Sequence, residues 1–318
     1  MKCDAVFEGG GVKGIAFVGA VQEAEKQGYV FERVAGTSAG SIVAALIAAG
    51  YSGDELETHM KELSFASFLD LNSLGRIPFV GKSLNIMFRN GVYSGKRLEA
   101  WVDAKLKRKG IRFFGDLPDN KLTVIASDIT NGRIMRIPDD LQEYGLDVST
   151  FPVAKAVLMS CTIPYFFQPV ILKYNGKKAY IVDGGLLSNF PVWLFDTTNT
   201  TPRWPTFGFR LRGADSEDPA HIAGPVTMFR AIVSTMLEAH DRRYIKKKDA
   251  QRTIFIPVDN IKATDFDISK EEQRQLIELG RAEAEEFFDQ WNFSRHIHQF
   301  RRMPKFIQTR TQAAKNEG

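Results

Sequence analysis

Short apolar runs alternate with longer amphipathic stretches along this chain, and the alternation is clearest near the N-terminus. Ala5-Val6-Phe7 predicts a short buried strand, which runs into a turn with glycine at positions 9, 10, 11 and 14. From Ile15 to about Lys26 the pattern is apolar first and charged later, as expected of a helix with a buried start. Gly28 closes it, in the manner of a glycine just past a helix end. Phe31 to Ala35 predicts a second strand. Ala39 to Ala49 is apolar on every side, so it predicts a helix sunk in a core, stopped at Gly50. Ser52-Gly53-Asp54-Glu55 has the S-x-x-E spacing of a capping box and starts the next helix.

Strand, helix, strand and helix in so short a span predict an α/β fold in which helices cover a parallel sheet. Further strands are expected at Leu122–Ala126, Arg133–Ile137, Ala179–Val182, Thr206–Leu211 and Thr253–Val258. A long helix is expected from about Pro225 to Lys247, with Phe229, Val233, Met236 and His240 on one stripe. Another starts at the capping box Ser269-Lys270-Glu271-Glu272 and carries Leu276, Leu279, Phe287 and Trp291. The expected organisation is one domain over residues 1–293 and a basic tail over 294–318. Residues 64–90 keep no clean period. They combine Phe65, Phe68, Leu69, Phe79 and Val80 with Arg76, Lys82 and Arg89. A long irregular segment inside a domain reads as a lid, and apolar residues among basic ones suit an anionic lipid surface. The alternative is a loop folded onto the core.

Composition narrows the class. The 318 residues suffice for one large α/β domain or two modest ones. A net charge of +4 is compatible with an anionic membrane surface and gives no argument for nucleic acid. The two cysteines, Cys3 and Cys161, form neither a disulfide framework nor a metal-ligand spacing, which points to a reducing compartment. Charged residues interrupt the first positions, where a signal peptide would be apolar, and the run Ile42–Ala49 is too short to cross a bilayer. A cytoplasmic protein is expected, with peripheral contact at membranes.

Three motifs carry candidate chemistry. Gly36-Thr37-Ser38-Ala39-Gly40 lies between a strand and a buried helix, the setting of a nucleophile elbow, where a sharp turn needs small neighbours. The turn Gly9-Gly10-Gly11-Val12-Lys13-Gly14 can aim successive N–H groups at one point, as an oxyanion hole does. It also matches the G-x-G-x-x-G dinucleotide fingerprint, with Glu32 as the ribose acid, or it is a tight turn without a ligand. Asp183-Gly184-Gly185 ends a strand with a carboxylate that two glycines free to point into a site, although Asp-Gly is also a common turn.

In this order and spacing, the motifs resemble those of the patatin-like phospholipase family. The stretch Ala154–Phe167, a helix running into Pro164, is similar as well, and the resemblance spans roughly residues 4–211. It implies a three-layer α/β/α fold with a mostly parallel central sheet. Ser38 would be the nucleophile, Asp183 its general base in a dyad without histidine, and Gly9, Gly10 and Gly11 the oxyanion hole. Lys13, Gly14, Gly36, Gly40, Gly184 and Gly185 would shape these turns. Lys13 stands where the family usually has arginine, which keeps the charge and loses the bidentate fork. The implied substrate is a phospholipid or another acyl-ester lipid, hydrolysed as by a phospholipase A or lysophospholipase, with no metal and no cofactor. A general carboxylesterase or thioesterase is the alternative within hydrolases.

Other readings stay open at this level. Of five histidines, His240 follows Ser38 and Asp183 in the order of an α/β-hydrolase triad. A nucleotide-binding oxidoreductase would use the Gly9–Gly14 turn and leave Ser38 and Asp183 without a task. A lipid-binding protein that has lost catalysis would not need both of them intact. A dyad carries one physical demand. A carboxylate with an ordinary pKa near ~3.9 is a weak base toward a hydroxyl, so it must be desolvated and hydrogen-bonded to its serine.

Overall fold

The computed structural model describes residues 1–62, 65–70, 90–197, 202–213, 247–258, 261, 263, 265 and 267–302. Its central strand is β1 (Lys2–Phe7), buried from Cys3 onward as a strand covered on both faces must be. β1 pairs in parallel with β2 (Val30–Thr37) on one side and with β9 (Thr206–Arg212) on the other. β10 (Thr253–Pro257) extends the parallel sheet beyond β9, and β4 (Leu122–Asp128) extends it beyond β2. Past β4 the direction reverses. β5 (Arg133–Ile137), β8 (Lys177–Asp183) and β7 (Val170–Tyr174) join through antiparallel pairs. The path through the sheet is β10-β9-β1-β2-β4-β8-β7, with β5 also paired to β4. A separate two-stranded pair joins β3 (Gly91–Tyr93) to β6 (Tyr165–Phe167).

One detail of register positions the site. Val34–Thr37 of β2 pair with Leu122–Ile125 of β4, and at the next residue, Ala126, the partner becomes Asp183 of β8. β5 takes the other edge of β4 over Val124–Asp128. The C-terminal ends of β2 and β8 therefore meet on one edge of β4, at the step from Ile125 to Ala126. Ser38 follows the last residue of β2, and Asp183 is the last residue of β8.

Helices pack around this mostly parallel sheet, the α/β architecture expected. α1 (Ala16–Lys26) crosses α6 (Lys270–Gln290) so closely that a Cβ on Gly19 or Gly280 would collide with backbone of the other helix. Phe7 stacks on Phe209 with centroids 4.6 Å apart and meets the edge of Phe17 from α1 at 5.6 Å. α2 (Ala39–Ala48) is buried along nearly its whole length, as its uniformly apolar sequence requires. It packs against β2 and against α5 (Val153–Cys161). α3 (Gly53–Glu62) starts at the expected capping box: Ser52 N–H donates to Glu55 Oε2 at 2.9 Å, and Glu55 N–H to Ser52 Oγ at 3.3 Å. The Ser269–Glu272 box at the start of α6 is also formed.

Several elements depart from the sequence reading. α4 (Lys96–Arg108) was not anticipated, because its polar residues hide a thin stripe of Leu98, Val102 and Leu106, which is buried. The edge strand β7 and the three-residue strands β3 and β6 were also missed. The helix expected over about 225–247 lies outside the described residues except for its last position, and so does most of the 64–90 segment. Within the described part of that segment, Phe68 is a core residue, 3 % exposed, with its ring 5.8 Å from Trp101 of α4. It does not face lipid. The tail expected from 294 begins as α7 (Phe293–Arg302), whose His296 is buried against Trp291. Residues 303–318 lie outside the described part.

Candidate active site

Ser38 sits at the turn between β2 and α2 with φ 50° and ψ −126°, a strained backbone for a residue with a side chain. The neighbouring glycines make the turn possible. A Cβ on Gly36 would strike the carbonyl of Gly40, and one on Gly40 would strike the carbonyls of Phe7 and Glu8. Gly14 packs against Ala39 at the limit of contact, so a Cβ there would lie 3.0 Å from the Ala39 Cβ. Ser38 is also the residue that precedes α2, so the positive end of that helix faces it.

The Ser38 hydroxyl donates to Asp183 Oδ2 at 2.6 Å. The other carboxylate oxygen, Oδ1, accepts the N–H of Gly185 at 2.8 Å. Asp183 is 3 % exposed, and burial pushes its carboxyl up to about 6, against the lowering effect of these two hydrogen bonds. Gly184 lets the chain turn here, since a Cβ would strike the Ile125 carbonyl and crowd Thr37. Thr37 donates its hydroxyl to the Ser188 carbonyl at 3.1 Å, and Asp183 N–H donates to Thr162 O at 2.8 Å. Elbow and carboxylate loop are thus bonded to each other around the Ser38–Asp183 pair.

The glycine turn lies against the same point, because a Cβ on Gly9 would come within 3.1 Å of the Ser38 Cβ. Its three glycines are not equivalent. Gly9 is buried, donates its N–H to the Asn189 carbonyl at 3.2 Å, and accepts from the Asn189 side-chain amide at 3.2 Å. Gly10 and Gly11 are half-buried, and among the described residues their N–H groups have no backbone partner. Gly11 has φ +57° and begins the short helical turn Gly11–Ile15, in which Lys13 is half-buried. Two residues escaped the sequence reading. Asn189 clamps the glycine turn, and its only signal was a polar residue soon after Asp183-Gly184-Gly185. Ser160 on α5 accepts the Ser38 N–H at 2.8 Å, and its only signal was a hydroxyl inside an apolar helix.

Among the described residues no histidine is hydrogen-bonded to Ser38 or Asp183. His59 lies with Nδ1 2.9 Å from Lys105 Nζ, and His296 packs on Trp291. His240 and His221 lie outside the described residues. Glu32, the acid of the dinucleotide reading, pairs with Lys2 at 3.0 Å.

A family model described as patatin-like phospholipase matches residues 5–196. The chain belongs to the patatin-like phospholipase family. It is by family a lipid-ester hydrolase. The protein YqhO of Bacillus subtilis (strain 168) is 45% identical over 92% of this chain and 100% of its own length. A cUMP-AMP-activated phospholipase of Escherichia coli is 27% identical over 61% of this chain and 58% of that protein. Among solved structures, VipD from Legionella pneumophila superposes with a TM-score of 0.56 at 18% identity, covering 91% of this chain and 66% of VipD. That likeness extends the patatin-type fold to most of the chain.

Proposed function

We propose that this patatin-like protein is a phospholipase A or lysophospholipase that works through an acyl-Ser38 intermediate. The 2.6 Å hydrogen bond from Ser38 Oγ to the buried Asp183 carboxylate carries the reading. Ser38 Oγ attacks the carbonyl carbon of a fatty-acyl ester, and its proton passes to Asp183. The N–H groups of Gly10 and Gly11 stabilise the oxyanion, while Gly9 is held for structure by Asn189. Collapse expels the alcohol, a lysophospholipid or glycerol derivative, which takes the proton back from Asp183. Water then attacks the acyl-serine as Asp183 accepts one of its protons, and the fatty acid leaves as Ser38 is reprotonated.

The raised carboxyl supports this assignment. A base near 6 is better matched to serine deprotonation than one near ~3.9, and it is ionised at neutral pH. The kinship with a phospholipase favours glycerophospholipid over a simple ester. The protein acts at membrane surfaces from the cytoplasmic side in this reading. Among the described residues no helix is long and apolar enough to cross a membrane.

A fluorophosphonate probe followed by peptide mapping tests the nucleophile. Labelling is expected at Ser38, with phospholipid and ester hydrolysis lost in a folded Ser38→Ala variant. Residual turnover within tenfold of wild type would refute it. Preference for short soluble esters or thioesters over phospholipid vesicles would move the assignment to an esterase or thioesterase.

A further inference from the structure

Ser160 lies near the end of α5, fully buried. Its hydroxyl oxygen is 2.8 Å from the Ser38 backbone nitrogen and 2.5 Å from the Ile125 carbonyl oxygen. The polarity of this pair of bonds is fixed. The Ser38 N–H can only donate, so Ser160 Oγ accepts there. The single hydroxyl proton is left for Ile125 O, which can only accept. Ile125 is the residue of β4 opposite Thr37, one step before the residue opposite Asp183. One hydroxyl thus ties the nucleophile's own peptide to the strand on which both halves of the dyad converge.

The elbow needs such a tie. At φ 50° Ser38 leaves the extended path of β2 and its N–H finds its acceptor in Ser160. Its carbonyl is pinned from the other side by Ser41, whose N–H and hydroxyl donate to it at 2.8 and 2.6 Å. We infer that Ser160 is a positioning residue, whose hydroxyl holds the Ser38 backbone in the strained conformation that aims Oγ at Asp183. The inference rests on the Ser38–Asp183 assignment proposed above. Without that acceptor the Ser38 peptide is freed on one side, and a nucleophile displaced by about 1 Å loses about 100-fold in rate. Substrate contacts are untouched, so the loss belongs in kcat and leaves KM in place.

The test compares wild type with Ser160→Ala, which removes the hydroxyl, and Ser160→Thr, which restores it. A Ser160→Cys variant supplies a smaller replacement with a weak donor and acceptor if threonine does not fit. Each folded variant is assayed for kcat and KM on a p-nitrophenyl ester, for the rate of fluorophosphonate labelling at Ser38, and for the acid limb of its pH profile. Ser160→Ala is expected to lower kcat and the labelling rate about 10- to 100-fold with KM within about threefold. Threonine, or failing that cysteine, should recover part of this loss. The Ser38 hydrogen bond is one of the influences that lower the Asp183 carboxyl. Its loss in Ser160→Ala should therefore move the acid limb upward. Labelling of folded Ser160→Ala within threefold of wild type would overturn the inference, as would a loss that merely tracks the unfolded fraction with an unmoved acid limb. If wild type itself is not labelled at Ser38, the functional reading fails instead.

Discussion

In the proposed dyad, Asp183 serves chemistry at the expense of stability. Its carboxyl titrates near 6 in the folded protein, mainly because it is buried, against an ordinary value near ~3.9 in the unfolded chain. The folded state therefore binds this proton more tightly. Below about pH 4 both states are protonated and the group costs nothing. Between about pH 4 and 6 the folded state loses ground as pH rises, and above that the full cost, of order 1–3 kcal/mol, persists. The activity proposed for it runs the other way, because a general base must be ionised. kcat/KM should fall about tenfold per pH unit below about 6. Asp183→Asn should be inactive and yet melt higher than wild type at pH 8, with the difference vanishing near pH 4. A lower melting temperature at pH 8 would show that the carboxylate's hydrogen bonds outweigh its desolvation. That Ser38 and Asp183 lie at strand ends beside glycines was legible in the sequence. That Gly9 differs from Gly10 and Gly11 in its N–H partner was not legible. It depends on Asn189, which reaches Gly9 from the far side of the chain.

Among elements, those with a strong local pattern were readable: the parallel strands β1, β2, β4, β9 and β10, and the capped helices α3 and α6. The convergence of β2 and β8 on one edge of β4 was not, since register between distant strands leaves no local pattern. The α1–α6 crossing is of the same kind. Gly19 and Gly280 are helix-interior glycines, each unfavourable by about 1 kcal/mol relative to alanine. In the structure each lets the opposite backbone approach, Gly19 toward Ile277 and Gly280 toward Ala16. Gly280→Val should therefore destabilise the fold by about 1–3 kcal/mol, as other insertions into packed contacts do. Its nearest neighbours belong to Ala16 and not to Ser38 or Asp183, so the folded fraction should keep most of its kcat on a soluble ester. Chemical denaturation with activity measured per folded molecule checks both parts. An unchanged midpoint would mean that the two helices separate without cost.

At the scale of the whole molecule, the proposed phospholipase activity requires that the buried Ser38–Asp183 pair meet an aggregated substrate. An aperiodic apolar segment reads the same in sequence whether it covers a core or faces lipid, and only its structural partner decides. For Phe68 the partner is Trp101 of α4, a helix the sequence pattern concealed. Phe68→Ser should therefore cost about 2–4 kcal/mol of stability, and turnover of vesicle phospholipid and of a short soluble ester should fall in the same proportion. Phe79 lies outside the described residues and keeps its proposed interfacial role. Phe79→Ser should leave the melting temperature and soluble-ester turnover near wild type while weakening binding to anionic vesicles. The net charge of +4 adds a second signature. Vesicle binding should decline between about 0.05 and 0.5 M salt as attraction to anionic headgroups is screened, and soluble-ester turnover should not. Equal losses on both substrates for Phe79→Ser would place that ring in the core beside Phe68, and access to lipid would then have to be sought elsewhere on the molecule.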